Sequence, residues 1–159
     1  MKAFFVNDRL AFGSAIKTWR HVEKLRALGV THVINLRYST HNKKVRQFKH
    51  LWLPFKDNKK ARPTWFYRRT LRFHKRATLH RKAKVFVMCH HGICRSASLT
   101  YFLLRASGIG PRKAEALVRR ARPCAMIVRA YRESCEEYLR RRARSCPAGT
   151  GGNRFSQER

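Results

Sequence analysis

The stretch Lys84-Val85-Phe86-Val87-Met88-Cys89-His90-His91-Gly92-Ile93-Cys94-Arg95-Ser96 decides how the chain is read. Residues 85–88 are an uninterrupted apolar run, short and rich in β-branched and aromatic side chains, as in a central parallel strand. Gly92 lets the backbone curl, and Arg95-Ser96 opens a stretch of helical spacing with Leu99, Phe102 and Leu103 inward. Strand, glycine turn and helix start, in that order, gather successive backbone N–H groups and the positive end of a helix around one small volume. That is an anion-binding nest. The spacing of Cys89 and Arg95 alone means little: with 5 cysteines and 25 arginines in 159 residues, about 0.8 such pairs arise by chance. Cys135 and Arg141 repeat it, but Glu136-Glu137-Tyr138-Leu139 between them reads as helix and carries two acids that repel an anion.

On either side, short apolar runs alternate with amphipathic stretches. This is the pattern of an α/β domain, with a mixed, mainly parallel sheet flanked by helices. Residues 4–6 and 10–12 read as short strands. Ser14 reads as the cap of a helix carrying Ile16, Trp19, Val22, Leu25 and Leu28 and ending at Gly29. Residues 32–36 and 51–55 read as two more strands, with the polar stretch 38–49 between them. After a loop over 56–63, Pro63 opens a basic helix over 65–82 in which Trp65, Phe66, Leu71, Phe73 and Leu79 are interleaved. Gly108-Ile109-Gly110-Pro111 breaks the chain before helices over 112–122 and 125–144. Residues 1–144 are expected to form one domain, and 145–159 a disordered basic tail.

The apolar content of 43% is enough for a real core at this length. No apolar run approaches the roughly 20 residues of a membrane span. The N-terminus turns polar too early for a secretory signal, and five cysteines without a disulfide spacing fit a reducing compartment. A cytosolic or nuclear address is therefore expected. The net charge of +30 calls for polyanions or acidic partners. Cys89, His90, His91 and Cys94 do not suit zinc, because adjacent residues rarely converge on one ion, so neither metal nor cofactor is expected. Cys124, Cys135 and Cys146 read as structural or incidental thiols. His74 and His80 read as surface residues, and Trp19, Trp52 and Trp65 as core or interface aromatics.

The chemistry follows from the residue types in the nest. A thiolate at Cys89 is a nucleophile, and backbone N–H groups stabilise a negative sulfur. The planar fork of Arg95 meets two phosphate oxygens at once, which a lysine does not. Ser96 can donate a hydrogen bond toward the sulfur, while His90, His91, Gly92, Ile93 and Cys94 line the anion.

At these residues the sequence resembles the protein tyrosine phosphatase superfamily, and within it the small, atypical dual-specificity phosphatases. The resemblance extends over residues 10–139 and includes Gly13-Ser14-Ala15-Ile16, Leu25-Arg26-Ala27-Leu28-Gly29-Val30-Thr31-His32-Val33-Ile34-Asn35-Leu36 and Arg122-Pro123. It implies hydrolysis of phosphomonoesters, phosphotyrosine and phosphoserine or phosphothreonine on proteins, through a phosphocysteine intermediate. It also implies an upstream aspartic acid as general acid. Only Asp8 and Asp57 exist, and Asp57, after Leu53-Pro54-Phe55-Lys56, looks like the family's placement. Two positions depart from the family pattern: Met88 stands where a histidine is usual, and Cys94 where a serine is usual. Ile93-Cys94-Arg95-Ser96 is similar to the loop of the low-molecular-weight tyrosine phosphatases, but those carry the loop at the N-terminus and the acid near the C-terminus, and no Asp follows residue 57. Cys94 is a candidate redox partner, able to trap an oxidised Cys89 as a disulfide. The implied partners are phosphorylated, acidic proteins. RNA 5′ phosphates, phosphoinositides or anionic lipid, and an inactive phosphate- or nucleic-acid-binding module on the same fold, are the alternatives; Trp65-Phe66-Tyr67-Arg68-Arg69 invites the nucleic-acid reading.

Overall fold

The computed structural model describes residues 1–38 and 43–145. Five strands, β1 (Ala3–Asn7), β2 (Leu10–Gly13), β3 (Val30–Asn35), β4 (Lys49–Trp52) and β5 (Lys84–Met88), form one sheet in the order β1-β2-β5-β3-β4. β1 pairs antiparallel with β2, and the other three pairings are parallel. The mixed, mainly parallel sheet is as the sequence indicated. β5 lies at its centre with Val85, Phe86, Val87 and Met88 all buried, which is why that strand has no polar alternation.

Five helices flank the sheet: α1 (Trp19–Ala27), α2 (Thr64–Thr78), α3 (Arg95–Ala106), α4 (Pro111–Ala121) and α5 (Arg129–Ser145). α1 packs on one face through Val22 and Leu25, against Ala11, Val33 and Phe86. α2 to α5 cover the other face, where Phe66, Tyr67, Leu71, Phe102 and Tyr131 join one core with Phe12, Ile34 and Val87.

Several boundaries differ from the sequence reading for physical reasons. α1 starts at Trp19, where the Thr18 hydroxyl accepts from the His21 N–H at 3.3 Å. Ser14 and Ile16 precede the helix, in the turn that follows β2. α2 stops at Thr78, and α5 begins at Arg129 rather than 125, because residues 123–128 hold the cysteine loop instead. The three tryptophans are not core residues: Trp19, Trp52 and Trp65 are 52%, 41% and 48% exposed. α2 instead buries Phe66, Tyr67, Thr70, Leu71 and Ala77. His74 is half-buried rather than on the surface, and burial, followed by the Arg9 charge, pushes it down to about 4. The sequence predicts a disordered tail from Ser145 on, but Ser145 ends α5; residues 146–159, with Cys146, lie outside the described residues.

Candidate active site

The parallel strands all point their C-terminal ends to one edge of the sheet, and the segments leaving those ends build the site. β5 delivers Cys89, β3 leads to Leu36, whose carbonyl meets Arg95, β4 leads to the loop with Asp57, and β2 leads to Ser14. Cys89 is 2% exposed, at the floor of the loop 89–95. Its sulfur accepts the Gly92 N–H at 3.2 Å and lies 3.3 Å from the Ser96 hydroxyl. Both groups belong to the nest: the first comes from the curled loop, the second from the first turn of α3.

Gly92 is required on two grounds. Its φ of 73° is left-handed, and a Cβ there would come within 2.4 Å of the Gly13 carbonyl carbon and 2.6 Å of the Ser14 nitrogen. The loop is thus pressed against the turn after β2, which explains why Gly13-Ser14 is not spent on capping α1. Cys89 N–H donates to the Gly13 carbonyl and Ala15 N–H to that of His90. On the far side, Met126 N–H donates to the Ile93 carbonyl. Arg122 donates to the carbonyls of His91 and Gly92 at 2.9 and 2.7 Å, and its guanidinium sits 4.7 Å from the Phe4 ring centre. With those carbonyls held outward, the loop N–H groups are left facing inward.

Arg95 opens α3 with its side chain only 12% exposed. Its Nη1 donates to the carbonyls of Leu36 and Phe55, which lock the fork to the ends of β3 and β4. Its Nε has no hydrogen-bond partner among the described residues. The nearest carboxylate oxygen, Asp57 Oδ2, stands 3.6 Å away, too far to satisfy it. Asp57 is 40% exposed, and the Tyr131 hydroxyl, which also accepts from Lys59 N–H, reaches its Oδ1 at 3.4 Å. The structure therefore brings Cys89, Arg95, Ser96 and Asp57 together. Asp8, the other aspartate, is exposed in the turn between β1 and β2, at the opposite edge of the sheet.

His90 and His91 expose their rings at the mouth, 4.4 Å apart and edge-on. The charge of His91, then burial, lowers His90 below the ordinary histidine range. Ile93 and Cys94 are half-buried, and burial, followed by the Asp57 and Cys89 charges, raises the Cys94 thiol. Met88 is fully buried, between Gly13 and Asn35 in register. Among the described residues no group of three or more His, Cys, Asp and Glu is arranged to hold a metal. Tyr131 and the loop-bracing part of Arg122 escaped the sequence reading. Arg122-Pro123 was visible there as a phrase, without its role; Tyr131 carried no signal, since its place depends on how α5 meets the Asp57 loop.

The family model described as dual specificity phosphatase, catalytic domain, matches residues 12–141. The chain belongs to this family, whose members share the cysteine-based phosphatase fold. Crystal structures similar to it include Tk-PTP in the active form, 24% identical over 87% of this chain and 97% of that one, with a TM-score of 0.72. Human DUSP28 is 23% identical over 89% and 98%, with a TM-score of 0.74, and PTPMT1 in complex with PI(5)P is 17% identical over 89% and 97%, with a TM-score of 0.73. At these identities the likeness speaks for the fold. No curated protein matches the chain. No helix among the described residues is long and apolar enough to cross a membrane.

Proposed function

We propose that the protein hydrolyses phosphomonoesters on phosphorylated proteins, at tyrosine and at serine or threonine, through a phosphocysteine on Cys89. The observation that carries this is the placement of the Cys89 sulfur, under the Gly92 N–H and the Ser96 hydroxyl, at the floor of a loop whose mouth holds the unsatisfied Nε of Arg95. In the first step the thiolate forms the S–P bond, the P–O bond to the substrate breaks, and Asp57 gives its proton to the leaving oxygen. In the second, water attacks phosphorus, the Asp57 carboxylate takes a water proton, and the thiolate leaves toward the Ser96 hydrogen bond. Arg95 and the loop N–H groups other than that of Gly92 hold the equatorial oxygens throughout. Asp57 stands on an exposed loop, and the Tyr131 hydroxyl keeps it facing the mouth. Cys94 would act as redox partner: peroxide converts Cys89 to a sulfenic acid, and the Cys94 thiol condenses with it to a disulfide, releasing water.

The experiment compares turnover of phosphotyrosine and phosphoserine peptides, a 5′-phosphorylated RNA and a soluble phosphoinositide. Both peptides are expected to be turned over with the higher kcat/KM. A higher value for the RNA, with a steep loss of its binding as salt rises, would move the substrate class to nucleic acid.

A further inference from the structure

α2 carries Arg68, Arg69, Arg72, Lys75 and Arg76 and not one acid over its 15 residues. Arg68, Arg72 and Arg76 follow at four-residue spacing, an arrangement of like charges that works against a helix. The negative end of the helix dipole offsets this for Lys75 and Arg76, in the last turn, but not for Arg68 and Arg72. Six arginines of α3, α4 and α5 do have carboxylate partners. Glu115 pairs with Arg119 and Arg132, Glu133 with Arg129, Glu136 with Arg105, and Glu137 with Arg140 and Arg141. The cations of α2 have no ion-pair partner among the described residues.

Between α2 and α5 runs a groove of about 320 Å³, lined by Arg68, Arg72, Lys75, Arg76 and Arg142. The buried Leu71 and half-buried Tyr138 supply its apolar floor, and Leu79, 82% exposed just past the end of α2, supplies an aliphatic edge. The Tyr138 ring is already in contact with the rings of Tyr67 and Phe102, 5.6 and 5.9 Å away, so it offers no free platform for a base. Trp65, which does expose a ring, sits in the first turn of α2, about 20 Å along the axis from Leu79. A polyanion with no apolar groups would leave the leucines unused. Four arginines out of five cations suit carboxylates, which a guanidinium meets with two parallel hydrogen bonds.

We infer that this groove docks an acidic amphipathic segment of the phosphorylated protein substrate, with carboxylates on the arginines and aliphatic side chains over Leu71 and Leu79. The inference rests on the phosphoprotein reading of the Cys89 site. α2 begins directly after the loop that carries Asp57, so a chain lying along the groove toward Thr64 runs on to the mouth of that site. Docking there raises the local concentration of the phosphorylated residue without touching the chemistry.

The probe is a short fluorescein-labelled peptide of Glu and Leu at helical spacing, set against a Glu/Ser peptide of equal charge and an oligothymidylate of equal charge. Binding is read by fluorescence anisotropy to the full chain bearing Cys89→Ser, with and without Arg72→Glu plus Arg76→Glu, or Leu79→Ser, all at exposed positions. The Glu/Leu peptide is expected to bind more tightly than the other two, and to lose about tenfold in the double-arginine variant and about threefold with Leu79→Ser. In the chain with Cys89 intact, a phosphotyrosine peptide extended by the Glu/Leu segment should show a lower KM than the unextended one. That advantage should vanish in the double-arginine variant with kcat unchanged. Equal affinity for the Glu/Leu and Glu/Ser peptides, unchanged binding in the variants, or tighter binding of oligothymidylate would each overturn the inference. Absence of turnover with discriminating binding retained would instead overturn the catalytic reading and leave the groove in place.

Discussion

Cys89 and Cys135 stand at the same distance along the chain from an arginine, yet the fold gives the two pairs opposite surroundings. Cys89 leaves a buried strand and meets the Gly92 N–H of the loop and the Ser96 hydroxyl of the first turn of α3. Cys135 lies in the middle of α5, where burial, then the Glu136 charge, pushes its thiol up to about 12. Arg95 is folded inward and locked to two carbonyls, with Nε left over. Arg141 points outward and is tied to Glu137 at 2.6 Å. In a helix interior the backbone N–H groups are already spent within the helix, so a cysteine there can acquire no anion nest. On the proposed mechanism, what separates the nucleophile from the inert thiol is the unspent backbone of a loop entering a helix, and spacing alone does not encode it.

The largest effect that sharpens this contrast is on turnover of a phosphotyrosine peptide. Cys89→Ser is expected to remove at least about 10³-fold of kcat, and Cys135→Ser to leave it within about twofold. Equal losses in both would erase the distinction. The two aspartates offer the next largest difference. Asp57→Asn should cost about 10²–10⁴-fold in kcat, whereas Asp8→Asn, at the other edge of the sheet, should cost nothing measurable in the same assay. Peroxide gives the smallest and most local effect: peptide mapping by mass spectrometry after mild treatment should show Cys89 joined to Cys94, with Cys135 unmodified. A Cys135 adduct without the Cys89–Cys94 link would break the redox part of the contrast.

Much of this was legible from residue order. The run Lys84–Met88, the glycine at 92 and the helix start at Arg95 fixed the centre of the sheet and the loop together, because each demands a particular backbone that only one arrangement satisfies. The placement of Asp57 was legible only through the family resemblance, since a lone acid in a basic loop carries no periodic signal. Of the two readings of the tryptophans, core or interface, the first fails: Phe66, Tyr67 and Leu71 take the inward face of α2 and leave Trp65 outside. The start of α1 was also misplaced. Ser14 has the chemistry of a cap, yet its backbone is held against Gly92, and Thr18 takes that role four residues later. Both misses concern which of two chemically suitable residues the tertiary packing recruits, something local sequence does not contain. Tyr131 and Arg122 belong to the same class, reaching the site from α5 and from the end of α4.

The central claim is that phosphate passes through Cys89. Its most direct test is rapid acid quench of the protein during turnover of a phosphotyrosine peptide, followed by digestion and mass spectrometry. One phosphoryl group is expected on the peptide containing Cys89, present in the wild type and absent in Cys89→Ser. Sustained turnover with that peptide unmodified, or a phosphoryl group on Cys135 instead, would contradict it.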